Sequence, residues 1–351
     1  MVAPRRWCSV AYGCGWFWHL WGGGRLLEHG GQIRQAAPRY GIPPEDWLDL
    51  STGINPLGWP VPEIPPEYWR RLPEPDDGLM EAACRYYGCS SALAVAGSQA
   101  AIQALPSLRP PCRVGLLAPT YAEHALAWTR GGHHVESLAS AEIEAVLDRL
   151  DVLVLVNPNN PTGERISTES LLAWRRRLAA RGGWLVVDEA FMDATPEESL
   201  ATHAGAEGLV VLRSLGKFFG LAGARVGFVL AWPELLVGLN ETLGPWHVSS
   251  PARQVARLAL ADEAWQVDER QRLARDSMRL NELLGRHGLF PDGGTALFQW
   301  VRCERALAIR DGLAQKGILV RCFDSPRGLR FGLPGAEAEW QRLAQALRGL
   351  S

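Results

Sequence analysis

Downstream of about Val114, short runs of consecutive apolar residues alternate with stretches of helical spacing, the pattern of parallel strands joined by crossover helices. The runs at 114–117, 152–156, 184–187, 209–212 and 226–230 show little polar alternation, as expected of strands covered on both faces. They predict one buried, mostly parallel sheet. After Pro251 the pattern changes to a charged helical stretch, 253 to about 287, followed by short strands at 296–301, 318–323 and 329–332. This predicts an α/β protein: a large domain over 51–250 with a mostly parallel central sheet, and a smaller α+β domain over 251–351 joined by the segment 26–50. Pro and Gly cluster from Asn55 to Pro75, which marks an extended connection into the large domain.

A chain of 351 residues suits two domains sharing a site. Residues 1–25 fit neither pattern: Trp7, Trp16, Trp18 and Trp21 lie among cysteines and glycines. Arg5 and Arg6 precede apolar residues, but the segment lacks the Leu/Val-rich centre and small-residue cleavage site of an export signal. It is expected to be disordered, with the native start near Arg25 or Leu26.

With 36 basic and 38 acidic residues the net charge is -2, so nothing attracts nucleic acid or an anionic membrane in general. Any anion must be held locally. The seven cysteines are odd in number and have no C-x-x-C or Cys/His ligand spacing, which favours reduced, mostly buried thiols in a cytoplasmic protein over a disulfide frame or a metal site. No run of about 18 uncharged apolar residues occurs, so no bilayer span is expected.

In open α/β sheets ligands sit at the carboxyl ends of the strands. Those ends are polar here. Run 152–156 leads into Asn157, Pro158, Asn159, Asn160, Pro161, Thr162 and Gly163; run 184–187 ends in Asp188, Glu189 and Ala190; run 209–212 is followed by Arg213, Ser214, Leu215, Gly216 and Lys217, with Arg225 eight residues beyond. Taken singly each has a plain explanation: a turn, a helix cap, a solvated lysine. In this order they are specific.

The succession N-P-T-G, D-E-A, S-x-x-K and a later arginine resembles the pyridoxal-phosphate (PLP) enzymes of fold type I in the class I/II aminotransferase superfamily, from about Leu27 to the C-terminus. The resemblance implies that Lys217 forms an imine with the cofactor aldehyde, that Asp188 keeps the pyridine nitrogen protonated, and that Asn160 donates to the ring O3′. It further implies that Gly97, Ser98 and Gln99 with Ser214 and Arg225 hold the cofactor phosphate, and that Tyr121 stacks on the ring. Arg330 matches the arginine that clamps the substrate carboxylate. Two positions depart from many relatives: Phe191 stands where a tyrosine donates to O3′, and Leu72 where a tyrosine reaches the neighbouring subunit's cofactor.

Near the N-terminus, His29-Gly30-Gly31 and the stretch Leu48 to Gly58, with Gly53 and I-N-P-L-G, resemble the threonine-phosphate decarboxylases of cobalamin biosynthesis more than histidinol-phosphate aminotransferases. Phe191 fits that subgroup. The implied reaction converts L-threonine O-3-phosphate to (R)-1-amino-2-propanol O-2-phosphate and carbon dioxide, with Gly53 also binding the substrate and its phosphate gripped by His29 and Arg321, Arg327 being a third candidate. A true aminotransferase using the same Lys217, Asp188 and Arg330 is the alternative, and a non-catalytic relative is disfavoured by the intact residue set. A homodimer is expected by analogy with the superfamily.

Overall fold

The computed structural model describes residues 27 and 29–349; the segment 1–25, expected to be disordered, lies outside them. Twelve strands among these residues form two sheets. Strands β1 (Leu48–Leu50), β2 (Leu93–Val95), β3 (Arg113–Leu117), β4 (His134–Leu138), β5 (Val152–Val156), β6 (Trp184–Asp188), β7 (Leu209–Ser214) and β8 (Gly227–Leu230) are followed by β9 (Gly293–Thr295), β10 (Phe298–Arg302), β11 (Ile318–Asp324) and β12 (Arg327–Gly332). The larger sheet has the order β2-β8-β7-β6-β5-β3-β4, and all of it is parallel except β8, which runs against β2 and β7.

The apolar runs become strands because both faces of this sheet are covered. Val152 and Val154 of β5 and Val186 of β6 pack in one cluster with the helices Ser98–Ala104 and Ala122–Arg130. Leu153, Leu155, Leu185 and Val187 enter the main cluster on the opposite face. Period-2 alternation therefore sends apolar residues both ways, and the run reads as continuous. Strand β4 lacks a continuous apolar run because it is an edge strand: His134 and Ser137 are exposed, Val135 and Glu136 only partly covered, and Leu138 alone is buried.

The smaller sheet has the order β1-β11-β12-β10-β9. Its first strand comes from the N-terminal segment, pairing parallel to β11 through Leu48↔Ile318 and Leu50↔Val320. The charged stretch expected as one helix is two, Ser250–Ala261 and Glu263–Gly285. The break is at Asp262, whose side chain accepts from Trp265 N at 3.1 Å and so starts a new helix. Four of the five described cysteines are half-buried rather than buried, Cys89 being the exception, and all five are free thiols. Among the described residues no helix is long and apolar enough to cross a membrane.

Behind the carboxyl ends of β6 and β7 lies a buried ion triad. Arg213 Nη1 donates to Glu189 Oε2 and Nη2 to Asp193 Oδ1, each at 2.6 Å, with all three side chains out of solvent. The guanidinium also lies over the Tyr87 ring at 4.7 Å. Glu189 follows Asp188 and Arg213 precedes Ser214, so this triad ties together the two strand ends that carry candidate site residues.

Candidate active site

The carboxyl ends of the parallel strands deliver their polar residues to one pocket, lined by Gly97, Ser98, Gln99, Tyr121, Asn160, Asp188, Phe191, Ser214, Lys217 and Arg225 among others. All nine positions expected from sequence to hold the cofactor are therefore neighbours, although they span 129 positions from Gly97 to Arg225.

Asp188 ends β6 on the same face as Val186 and is almost wholly buried. Its Oδ1 accepts from Ala190 N at 3.0 Å and its Oδ2 accepts from His124 Nε2 at 3.0 Å. His124, equally buried, is a site residue that the sequence reading missed; its only local signal is its position on the helix that starts after Tyr121. Tyr121 donates to Gln99 Oε1 at 3.2 Å, and burial, with Glu123 and Asp188 nearby, pushes its phenol up to about 12.

Lys217 is half-buried and its Nζ donates to Thr52 O at 3.3 Å, lying 5.3 Å from the centre of the Phe191 ring. Burial pushes its amine down to about 8; Arg330 and Arg225 add to the effect and Asp188 opposes it. A lysine so placed is neutral and nucleophilic a little above neutral pH.

Gly97 adopts φ +73°, and a Cβ there would sit 2.8 Å from Arg225 Nη2. A second close approach is at Gly227, where a Cβ would meet Ser98 N at 2.5 Å. The turn before helix Ser98–Ala104 thus lies directly against the arginine and the strand that follows it, a cradle that only glycines allow. Ser214 Oγ, at the end of β7, accepts from Gly216 N at 3.2 Å.

Arg330 of β12 meets this pocket from the smaller sheet. It is buried, Nη1 donating to Asn160 Oδ1 and Nη2 to Ser51 O, each at 2.5 Å, while its buried Nε has no partner. No carboxylate bonds it directly among the described ion pairs; burial, together with Arg321, pulls it down to about 10, and the more distant Asp49 carboxylate opposes this only in part. A buried cation without a counter-charge is costly unless an anion joins it. Asn160 spends its oxygen on Arg330, and its amide nitrogen donates to nothing among the described residues.

His29 and Arg321 lie in an adjoining cleft, lined also by Gln32, Arg39, Ser51 and Arg310. Arg321 is the direct cross-strand partner of Arg330. His29 Nε2 donates to Glu123 Oε1 at 2.9 Å, and its ring is 6.0 Å from Tyr121, which links the cleft to the cofactor pocket. Gly30 is pressed on Ser51, where a Cβ would come within 2.4 Å of its carbonyl oxygen. Gly53, at φ +61°, fits between Phe298 and Phe191, 3.3 Å and 3.4 Å from where its Cβ would be. Arg327 is half-exposed and faces Glu304 at 3.4 Å, away from this cluster.

Comparison with known proteins agrees with this geometry. The family profile described as aminotransferase class I and II matches residues 70–347. A threonine-phosphate decarboxylase of Pseudomonas aeruginosa is 58% identical over 324 residues, which is 92% of this chain and 98% of that protein. One from Sinorhizobium sp is 42% identical over 92% of this chain and 97% of its own length. Among solved structures, histidinol-phosphate aminotransferase from Sinorhizobium meliloti, in complex with pyridoxal-5′-phosphate, superposes with a TM-score of 0.77 at 21% identity, covering 93% of this chain and 96% of that one. At that identity it shows the shared fold.

Proposed function

The chain belongs to the aminotransferase class I and II family, and from that premise we propose that it decarboxylates L-threonine O-3-phosphate to (R)-1-amino-2-propanol O-2-phosphate in cobalamin biosynthesis. Its cofactor is PLP and its fold is fold type I of the PLP-dependent transferases. The observation that carries the substrate reading is the pairing of Arg321 with Arg330 across β11 and β12. One cation is tied to Asn160 in the cofactor pocket and the other lines the adjoining cleft, which suits a small substrate with a carboxylate at one end and a phosphate at the other.

The residues fit the cofactor. Lys217 is a half-buried amine whose neutral form is made more accessible by a pKa lowered to about 8; Asp188 is a buried carboxylate held by His124; Asn160 has an unspent donor; and Gly97, with Ser98, Gln99, Ser214 and Arg225, forms a cradle closed to any Cβ. Lys217 would hold the cofactor covalently, Asp188 would face its ring nitrogen, Asn160 its O3′, Tyr121 its face, and the cradle its phosphate. When bound, the cofactor supplies an electron sink for the bond broken at the substrate Cα.

The protein decides which bond that is. Arg330 takes the carboxylate, while His29 and Arg321 take the remote phosphate, so binding energy far from the reacting carbon fixes the rotation about the Cα–N bond. Gripped at both ends, the substrate would present its Cα–carboxylate bond for cleavage when the cofactor is bound. Lys217 Nζ, 5.3 Å from the centre of the Phe191 ring, would deliver a proton to Cα in place of the lost carboxylate. A cytoplasmic homodimer completes the reading. It is supported by exposed Trp69, Leu72, Val237 and Trp246, apolar residues in segments bordering the groove of Pro73, Met80 and Ala92.

The test is incubation of PLP-loaded protein with L-threonine O-3-phosphate and no 2-oxo acid. Carbon dioxide and aminopropanol phosphate in equal amounts, lost in Lys217→Ala, are expected. Turnover only on adding a 2-oxo acid would assign an aminotransferase instead.

A further inference from the structure

We propose that Asn55 is a positioning residue for Lys217, through which the helix Glu263–Gly285 fixes the loop that carries the lysine. The proposal rests on the reading of Lys217 as the cofactor lysine.

Asn55 is 3% exposed, and every hydrogen-bonding position of its side chain is used. Its Nδ2 donates to Phe218 O at 2.7 Å and to Glu269 Oε1 at 2.5 Å; its Oδ1 accepts from Leu57 N at 3.0 Å and from Arg272 Nη2 at 2.6 Å. Its backbone N donates to Lys217 O at 3.0 Å. One asparagine therefore grips the two peptide carbonyls on the C-terminal side of the lysine and anchors them to the long helix. There Glu269 is held by Arg272, which is itself paired with Asp276 at 2.6 Å.

The lysine loop needs such a hold from outside. Between Ser214 and Gly227 it contains Gly216, Gly220 and Gly223, so its own backbone restrains it little. The segment from Ser51 to Trp59 runs alongside it and makes contact along its length: Thr52 O accepts from Lys217 Nζ, Trp59 N donates to Phe219 O at 2.9 Å, and Gly58 meets Gly220 backbone to backbone. Ser51 of the same segment holds Arg330. Lysine and carboxylate clamp are thus referenced to one strand of chain, and Asn55 is where that strand is fastened. An error of about 1 Å in such placement costs on the order of a hundredfold in rate.

The test uses full-length, PLP-loaded Asn55→Ala and Glu269→Gln beside wild type. It reads the pH midpoint of the visible absorbance of bound cofactor, the rate of cofactor loss on dilution, and kcat and KM for L-threonine O-3-phosphate. Asn55→Ala is expected to raise the midpoint by about half a pH unit or more, because a loosened loop admits water and the charged form of Nζ is penalised less. Cofactor loss should quicken, and kcat should fall about tenfold or more with KM within about twofold. Glu269→Gln, which leaves Asn55 in place but weakens its anchor, should move the midpoint less in the same direction. A wild-type midpoint and kcat in Asn55→Ala, whatever its melting temperature, overturns the proposal. Should that variant not fold, Glu269→Gln decides alone: a raised midpoint supports the proposal, an unmoved one overturns it. Visible absorbance that persists in Lys217→Ala would overturn the reading of the lysine itself, and the proposal with it.

Discussion

Arg330 reaches from the smaller sheet to Asn160 at the end of the larger one, donating through Nη1 at 2.5 Å. The contact joins the group proposed to take the substrate carboxylate to the group proposed to touch the ring oxygen. Arg330→Ala should lower kcat/KM by about a hundredfold or more, since a buried charged partner is worth roughly 2–5 kcal/mol. Arg330→Lys should recover little of it, because an ammonium cannot bond Ser51 O, Asn160 and a carboxylate in one plane. Steady-state kinetics with L-threonine O-3-phosphate measure both.

Cofactor capture by the apoprotein should depend on pH. The neutral amine is the reacting form, and burial sets Lys217 at about 8, so the neutral fraction rises as pH increases through that value. The second-order rate of PLP uptake is expected to climb between about pH 7 and pH 9 and then level off. A flat profile across that range would contradict the placement of Lys217. Stopped-flow absorbance reads it.

His124→Phe removes the donor at Asp188 Oδ2 while filling much of the same volume. Loss of a hydrogen bond to a buried charged group costs roughly 1.5–3 kcal/mol, so a drop of about 10–100-fold is expected. Asp188→Asn should cost more, because it removes the charge proposed to face the ring nitrogen. The ordering, Asp188→Asn worse than His124→Phe, is the outcome to check by kcat and by retained cofactor.

The groups at the strand ends are legible in the sequence because each follows a recognisable apolar run, and the structure gathers Asn160, Asp188, Ser214 and Lys217 in one pocket. Not legible there are His124, which acts on Asp188 from 64 positions away, and Glu269, which meets Asn55 across 214. Nothing local marks a residue whose partner is supplied by tertiary packing. The three-residue strands β1, β2 and β9 were too short for an alternation to be read, and Asp262 was read through as part of a helix because a cap and a helical surface aspartate have the same letter.

Gly97→Ala should weaken cofactor binding without unfolding the protein. At φ +73° and ψ 155° the backbone lies in a region essentially reserved for glycine, where a side chain costs about 1–3 kcal/mol, and the new methyl would press on Arg225 at 2.8 Å. A cofactor Kd raised about tenfold or more is expected, with the thermal transition of the apoprotein lowered only modestly. Equilibrium dialysis with PLP distinguishes the two effects.

Arg213→Met should act on stability instead. It leaves Glu189 and Asp193 buried without their cation, a loss of roughly 3–5 kcal/mol. Denaturant unfolding of the apoprotein is the measurement, and a change under about 1 kcal/mol would show that the carboxylates find another solution.

The pairing of β1 with β11, and the Ser51 to Arg330 bond across 279 positions, also set an order of events during synthesis. The larger sheet is made of one uninterrupted stretch of chain and can close as soon as Leu230 has emerged. The segment that fastens the lysine must wait, since its partner strands are translated last. Non-local pairings of this kind form slowly, after their loop entropy has been spent. The arginine that would take the substrate carboxylate and the strand that pairs with β1 therefore both join the site only when the last of the chain has been made.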